Sequence, residues 1–170
     1  MSGAEGADAL LSGDAGGIGQ ALAEVFIERG ARGLVLIDLD QHHLGDAMAE
    51  LRSTVDREVD VLAVAADVSD RAELEAAFGE ASERFGSIDS VCNNAATQTW
   101  QPAYPHADLD AVERGIDVNV RGVVIGCQLA FDHMSARGGG SIVNTASGAG
   151  KVPMPSDPLY SASKAAVVML

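Results

Sequence analysis

Lysine is almost absent from this chain. Only Lys151 and Lys164 occur among its 170 residues, and 11 basic residues face 25 acidic ones, for a net charge of −14. Phosphate backbones and anionic headgroups are repelled by such a balance, so neither nucleic acid nor membrane is an expected partner. The acidity suits a halophilic source and biased codon usage alike. Cysteine is scarce too. Cys92 and Cys127 stand at apolar positions and read as buried thiols of a reducing compartment. With no second ligand pair at suitable spacing, neither a disulfide nor a metal site is expected. The first residues hold no basic region and no apolar run, so they do not read as a secretory leader. No run of 18 apolar residues occurs that would cross a bilayer as a helix. The expected location is the cytoplasm. Repeats, linkers and low-complexity segments are also lacking, and one domain over residues 1–170 is expected.

What the chain does have is a 47% hydrophobic share, arranged as short apolar runs alternating with amphipathic stretches. Ala9–Ser12 reads as a first strand, and Gly17–Arg29 as a helix with Ile18, Ala21, Leu22, Val25 and Phe26 on one face. A strand over Gly33–Asp38 and a helix over Gln41–Thr54 follow, then a strand over Val59–Ala65. Asp70–Phe85 reads as a helix opened by the capping-box spacing Asp70-x-x-Glu73. After a strand at Ser87–Asn93 comes a polar loop over residues 94–107, and Asp110-x-x-Glu113 opens a long helix reaching about Ala136. Ser141–Ala146 is a fifth strand, and Pro158 suits the first turn of a last helix. Strands alternating with helices predict a doubly wound, Rossmann-type parallel α/β sheet of about five strands.

Two stretches bear on ligands. Ser12-Gly-Asp-Ala-Gly-Gly-Ile-Gly19 joins the first strand to the first helix, with Gly13, Gly17 and Gly19 spaced to let the backbone approach a pyrophosphate at a helix N-terminus. Asp14, an acid within that loop, has to point outward. Asp38 ends the second strand, where a carboxylate can accept both hydroxyls of an adenosine ribose and repel a 2′-phosphate. No Arg or Lys flanks it, so NAD is expected rather than NADP. The second stretch is Leu159-Tyr-Ser-Ala-Ser-Lys-Ala-Ala166. One helical turn separates Tyr160 from Lys164, which puts both on one face. An ammonium beside a phenol favours the phenolate, whose ordinary pKa is ~10, and makes it a candidate general acid/base.

These pieces, together with Asp67-Val68, Asn93-Asn-Ala-Ala96, Asn119 and Ser147, resemble the short-chain dehydrogenase/reductase family over nearly the whole chain. The resemblance implies that Gly13, Gly17, Ile18 and Gly19 carry the dinucleotide, that Asp67 holds the adenine amino group, and that the Val68 backbone meets the ring. It implies that Asn94 and Ala95 lie along the adenosine ribose. Tyr160 would be the general acid/base, and Lys164 would bind the nicotinamide ribose and tune Tyr160. Ser147 would orient the substrate oxygen, and Asn119 would hold a water relaying protons from Lys164. Ser12 stands where the family has threonine, and Ala96 where it has glycine.

The implied activity is hydride transfer between NAD and a secondary alcohol or ketone, with an alicyclic, sugar-like or small substrate. The alternative is a non-catalytic NAD-binding or interaction module. Family members run some eighty residues further, and Ala165–Leu170 has no helix stop. The chain is therefore expected to be C-terminally truncated, its fifth strand an exposed and aggregation-prone sheet edge. The apolar run Val118–Phe131 suits a homo-oligomer interface or the core. Trp100, Pro153, Met154 and Pro155 suit a substrate mouth or plain loops, and His42, His43, His106 and His133 form no ligand pattern.

Overall fold

A computed structural model describes residues 4–13, 17–55, 59–98 and 105–170. Five strands, β1 (Asp8–Ser12), β2 (Gly33–Asp38), β3 (Asp60–Ala65), β4 (Ser90–Asn93) and β5 (Ser141–Asn144), form one sheet in the order β3-β2-β1-β4-β5. Every pairing is parallel. The chain winds outward from β1 through β2 to β3, then returns to the other side of β1 for β4 and β5. Winding therefore reverses beside β1, and all five strands end on the same edge of the sheet. Open α/β sheets bind ligands in the crevice outside such a reversal. The doubly wound Rossmann-type sheet expected from the sequence is the one observed.

The central strands are buried on both faces, as parallel strands are. Helices α3 (Arg71–Phe85) and α5 (Val123–Ser135) cover one face, where Leu74, Phe78, Ile125 and Leu129 pack on Leu10, Val35 and Val91. Helices α1 (Gly17–Glu28) and α2 (Gln41–Thr54) cover the other, with Ala23, Ile27, Leu44 and Leu51 against Leu11, Leu34 and Leu36. The buried face of α1 is not the apolar face read from the sequence. It is Gly19, Ala23 and Ile27, at helical spacing, whereas Ile18 and Val25 are 64% and 48% exposed and Ala21 is exposed. Small residues let a helix sit close to a sheet, so the larger apolar residues flank the contact, and Leu22 and Phe26 are only partly covered.

Helix starts follow side-chain chemistry. The Asp70 carboxylate accepts from the Ala72 and Glu73 backbone N–H groups, but Glu73 does not complete a capping box. Its carboxylate accepts instead from the Asp67 N–H at 2.8 Å and braces the loop after β3. The expected single helix after residue 110 is three pieces. Asp108, not Asp110, caps α4 (Leu109–Ile116), a π-helical segment spans Asp117–Gly122, and α5 follows. The last helix, α6 (Pro158–Met169), is capped by buried Asp157, which accepts from the Tyr160 N–H at 2.9 Å.

β4 starts at Ser90 and β5 ends at Asn144, both shorter than expected. β5 lies at the sheet edge, with Val143 53% exposed. Most of the Val118–Phe131 run is core: Val118, Val123, Ile125, Leu129 and Ala130 are buried, and Phe131 is exposed. Cys92 is buried, whereas Cys127 is half-buried beside Asn93 and Asn144. His42, His43 and His106 are exposed, and the His133 ring stacks obliquely on Phe78. No helix among the described residues is long and apolar enough to cross a membrane.

At the centre of the α3 contact, Phe78 is fully buried. Phe78→Ala is expected to cost about 3–5 kcal/mol, and Asp70→Ala about 1 kcal/mol through loss of its cap. Urea denaturation checks both, and equal losses from the two would contradict this ranking.

Candidate functional site

The crevice begins where β1 and β4 end. The Ser12 hydroxyl accepts from the backbone N–H groups of Asn94 (3.1 Å) and Ala95 (3.2 Å), fastening the two strand ends across the reversal of winding. Asn94 returns a side-chain N–H to the Gly13 carbonyl at 3.3 Å, and the Gly13 N–H donates to Ile37 at 2.8 Å. Gly13 has φ +74°, and a Cβ there would lie 2.7 Å from the Ala95 Cα. Both facts require glycine. Gly13 can then lie against the residue that follows β4 by two, and Gly17, Ile18 and Gly19 of α1 face the same crevice.

A cleft of ≈ 410 Å³ runs along this edge, lined by Gly13, Gly17, Ile18, Gly19, Asp38, Asn94, Ala95, Ser147, Tyr160 and Lys164, among others. Ten of the candidate site residues thus converge on one cavity. The exposed Ile18 belongs to this wall. A second cavity of ≈ 250 Å³ adjoins it, sharing Gly13, Asp38 and Ala95 and adding Asp67, Val68 and Arg114. Val68 is brought in by Gly122 of the π-helical segment, where a Cβ would stand 3.0 Å from a Val68 methyl.

Asp67 is firmly engaged. One carboxylate oxygen accepts from the Ser69 N–H (2.9 Å) and hydroxyl (2.6 Å), and the other accepts from Arg114 Nη1 at 2.6 Å. Burial pushes the Asp67 pKa up, but the bonds from Ser69 and Arg114 together outweigh it and hold the carboxyl below its usual value. Arg114 was not singled out by sequence reasoning. Its partner is 47 residues away, and no local spacing announces such a pair.

At the other end of the cleft, Lys164 is 2% exposed, and its ammonium donates to the Thr145 carbonyl at 2.8 Å. Among the described residues no carboxylate forms an ion pair with it. Burial lowers its pKa accordingly. The Nζ atom lies 5.9 Å from the centre of the Tyr160 ring, so the pair inferred from helical spacing is brought together and faces the cleft. Ser147 caps a 3₁₀ turn, Gly148–Gly150, by accepting from the Ala149 N–H at 3.2 Å. Its hydroxyl hydrogen can still donate. The turn lies directly on α6, since a Cβ on Gly150 would stand 2.6 Å from the Lys164 carbonyl oxygen. Gly150, also unremarked in the sequence, therefore fixes Ser147 relative to Tyr160 and Lys164.

Asn119 is 1% exposed and sits in the π-helical segment. Its side chain accepts from the Thr97 N–H (2.8 Å) and donates to the Thr97 carbonyl (2.7 Å) and the Ser163 hydroxyl (3.0 Å). It ties the loop after β4 to the residue beside Lys164. Met154, in the loop before α6, is half-buried and donates its N–H to Ser161, while Pro153 and Pro155 are exposed. Asp14 and Trp100 lie outside the described residues. Among the described residues no group of three His, Cys, Asp or Glu side chains is arranged to hold a metal ion.

The chain is similar to known proteins. The 2-(R)-hydroxypropyl-CoM dehydrogenase of Xanthobacter autotrophicus strain Py2 is 36% identical over 165 residues, which are 95% of this chain and 64% of that one. The levodione reductase of Leifsonia aquatica is 35% identical, over 95% of this chain and 60% of that one. The crystal structure of a short chain dehydrogenase/reductase from Burkholderia phymatum in complex with NAD superposes with a TM-score of 0.90 at 32% identity, covering 99% of this chain and 59% of that one. The chain thus spans less than two thirds of the length of these relatives. The family model for short chain dehydrogenases matches residues 8–170, nearly every residue that builds the sheet and the cleft, and the chain belongs to that family.

Proposed function

We propose that this chain supplies the cofactor-binding and proton-transfer part of an oxidoreductase that moves a hydride between NAD and a secondary alcohol or ketone. The observation that carries this reading is the buried Lys164 ammonium facing the same cleft as Tyr160. An ammonium has three hydrogens to donate, and Thr145 takes one. A buried cation paired with a single carbonyl costs stability unless further acceptors complete it. The two hydroxyls of a nicotinamide ribose are acceptors of the right kind.

The remaining residues fit the rest of the dinucleotide. The first turn of α1, with Gly17, Ile18 and Gly19 in the wall, suits a pyrophosphate. Asp38 suits the adenosine ribose and disfavours a 2′-phosphate there, while Asp67 and Val68 suit the adenine. NAD, when bound, takes up or releases the hydride. Tyr160 takes the proton of an alcohol or gives one to a ketone, and Lys164 stabilises the negative charge that gathers on the phenol oxygen as it does so. Ser147 donates to the substrate oxygen and aligns it with Tyr160. Asn119, by holding Ser163 and the loop after β4, keeps Lys164 at the cleft; a water between them would carry protons outward. The substrate class is a small or alicyclic alcohol, which the levodione and hydroxypropyl relatives support. We assign the apolar groove between α4 and α6, lined by Val112, Ile116, Leu159 and Ala166, to a second copy in a homo-oligomer.

Tyr160→Phe is expected to lower turnover of a cyclic secondary alcohol by about 10²–10⁴-fold while leaving NAD affinity unchanged. NAD binding with no turnover in the unaltered protein, and no effect of Tyr160→Phe, would favour a binding module instead. Asp38→Ser is expected to relax the preference for NADH over NADPH, and a preference for NADPH in the unaltered protein would overturn the cofactor assignment.

Lys164→Met separates stability from function. The native pKa of Lys164 is lowered, so the folded state resists binding that proton more than the unfolded chain does. Stability conferred at this position is therefore lowest at neutral pH and rises between the lowered native value and the ordinary ~10.4. Lys164→Met removes the penalty. The variant is expected to melt higher at pH 7, to lose that advantage toward pH 10, and to lose turnover. A lower melting temperature at pH 7 would contradict the burial argument.

A further inference from the structure

The adenosine end of the cleft holds a contact that the assigned roles do not use. Arg114 reaches from α4 to the loop after β3, and its Nη1 donates to both Asp67 Oδ2 at 2.6 Å and the Ser69 hydroxyl at 2.9 Å. It lines the 250 Å³ cavity together with Asp38, Asp67 and Val68. Three groups therefore hold Asp67: Ser69 on one carboxylate oxygen, Arg114 on the other, and the Glu73 carboxylate on its backbone N–H.

Resting on the reading of this cavity as the adenosine site, we propose that Arg114 is a positioning residue for base recognition, fixing the Asp67 carboxylate so that it selects a purine bearing an exocyclic amino donor. The geometry supplies the reason. A carboxylate oxygen has two lone pairs. Oδ1 has both partners in Ser69, whereas Oδ2 has Arg114 and one further acceptor position. Turning the carboxylate about its χ2 bond to follow a different ligand would break all three contacts at once. A group held in this way meets an amino hydrogen as an ionised acceptor and meets a ring carbonyl with repulsion. Asp67 is only 22% exposed and Arg114 42% exposed, so bulk water screens the pair incompletely. Arg114 is also neutralised locally by Asp67, which keeps it from serving as a counter-charge for a ribose phosphate in the same cavity.

The test compares two probes on the full chain, ADP-ribose and inosine diphosphate ribose, which differ in carrying an amino group or a carbonyl at the base. Binding is followed by calorimetry. The unaltered protein is expected to prefer ADP-ribose by about 10-fold or more, the range of one charge-assisted hydrogen bond, and Arg114→Gln to reduce that preference to about 3-fold or less. A merely structural role for Arg114 would weaken both probes equally and leave their ratio alone; an unchanged ratio therefore overturns the proposal while the adenosine site stands. Binding of neither probe by the unaltered, folded protein would overturn the adenosine reading and this inference with it. Ser69→Ala weakens the same clamp from its other side, by removing the hydroxyl that donates to Asp67 and accepts from Arg114. Should Arg114→Gln fail to fold, Ser69→Ala is expected to narrow the ratio as well, and an unchanged ratio there would also overturn the proposal.

Discussion

A buried ammonium is the constraint around which this molecule is arranged. Lys164 is nearly inaccessible, is unpaired with any acid among the described residues, and is satisfied by one carbonyl at the end of β5. Such a group lowers stability where it stands, and the surroundings hold it there regardless. Asp157 caps α6 from within the core, Gly150 lets the 3₁₀ turn lie on the helix backbone, and Asn119 grips the neighbouring Ser163. Each contact acts on the turn of α6 that carries Tyr160 and Lys164. A site whose own chemistry is destabilising needs this kind of over-determined housing, and its cost is recovered only when a ligand supplies the missing acceptors.

The sheet provides the other half of the arrangement. Because all five strands are parallel, every loop that follows a strand emerges on one edge, and the reversal of winding beside β1 opens a crevice there. The Ser12 hydroxyl and the unhindered Gly13 backbone fasten the floor of that crevice. Residues as far apart in sequence as Gly13, Asp38, Asn94 and Lys164 then share a wall without any long-range side-chain design.

That division explains what the sequence disclosed. Features governed by local periodicity were legible: the limits of β2 and α2, the Tyr160–Lys164 spacing, and the need for glycine at position 13, just past β1, all stand as expected. Features decided by contacts between distant segments were not. Glu73 has the right spacing for a capping box but finds the Asp67 N–H nearer at hand. The buried face of α1 follows Gly19 and Ala23 because closeness to the sheet, not side-chain size, selects the face. The π-helical segment at Asn119 leaves no local signature, since its extra residue is absorbed by packing against Val68 and α6. Arg114 looks like one more exposed helical arginine until β3 and α4 are brought together.

The charge balance of the whole chain can now be connected to its cleft. With a net charge of −14, an acidic protein would be a poor host for a pyrophosphate if the general field decided binding. On the proposed reading, local groups decide it instead. Among the described residues, the cations lining the two cavities are Arg114 and Lys164. The first is neutralised by Asp67, and the second lies at the opposite end, beside Tyr160. Between them the wall offers backbone N–H groups at the start of α1, which attract an anion through short-range dipoles that the distant surface charge scarcely alters. On that reading, an additional phosphate on the adenosine ribose would meet Asp38 and an arginine already paired with Asp67, with no other cation among the described lining residues of that cavity. On the proposed reading, discrimination between the two nicotinamide cofactors would follow from where the few positive charges are committed, and a lysine-poor sequence is suited to making it.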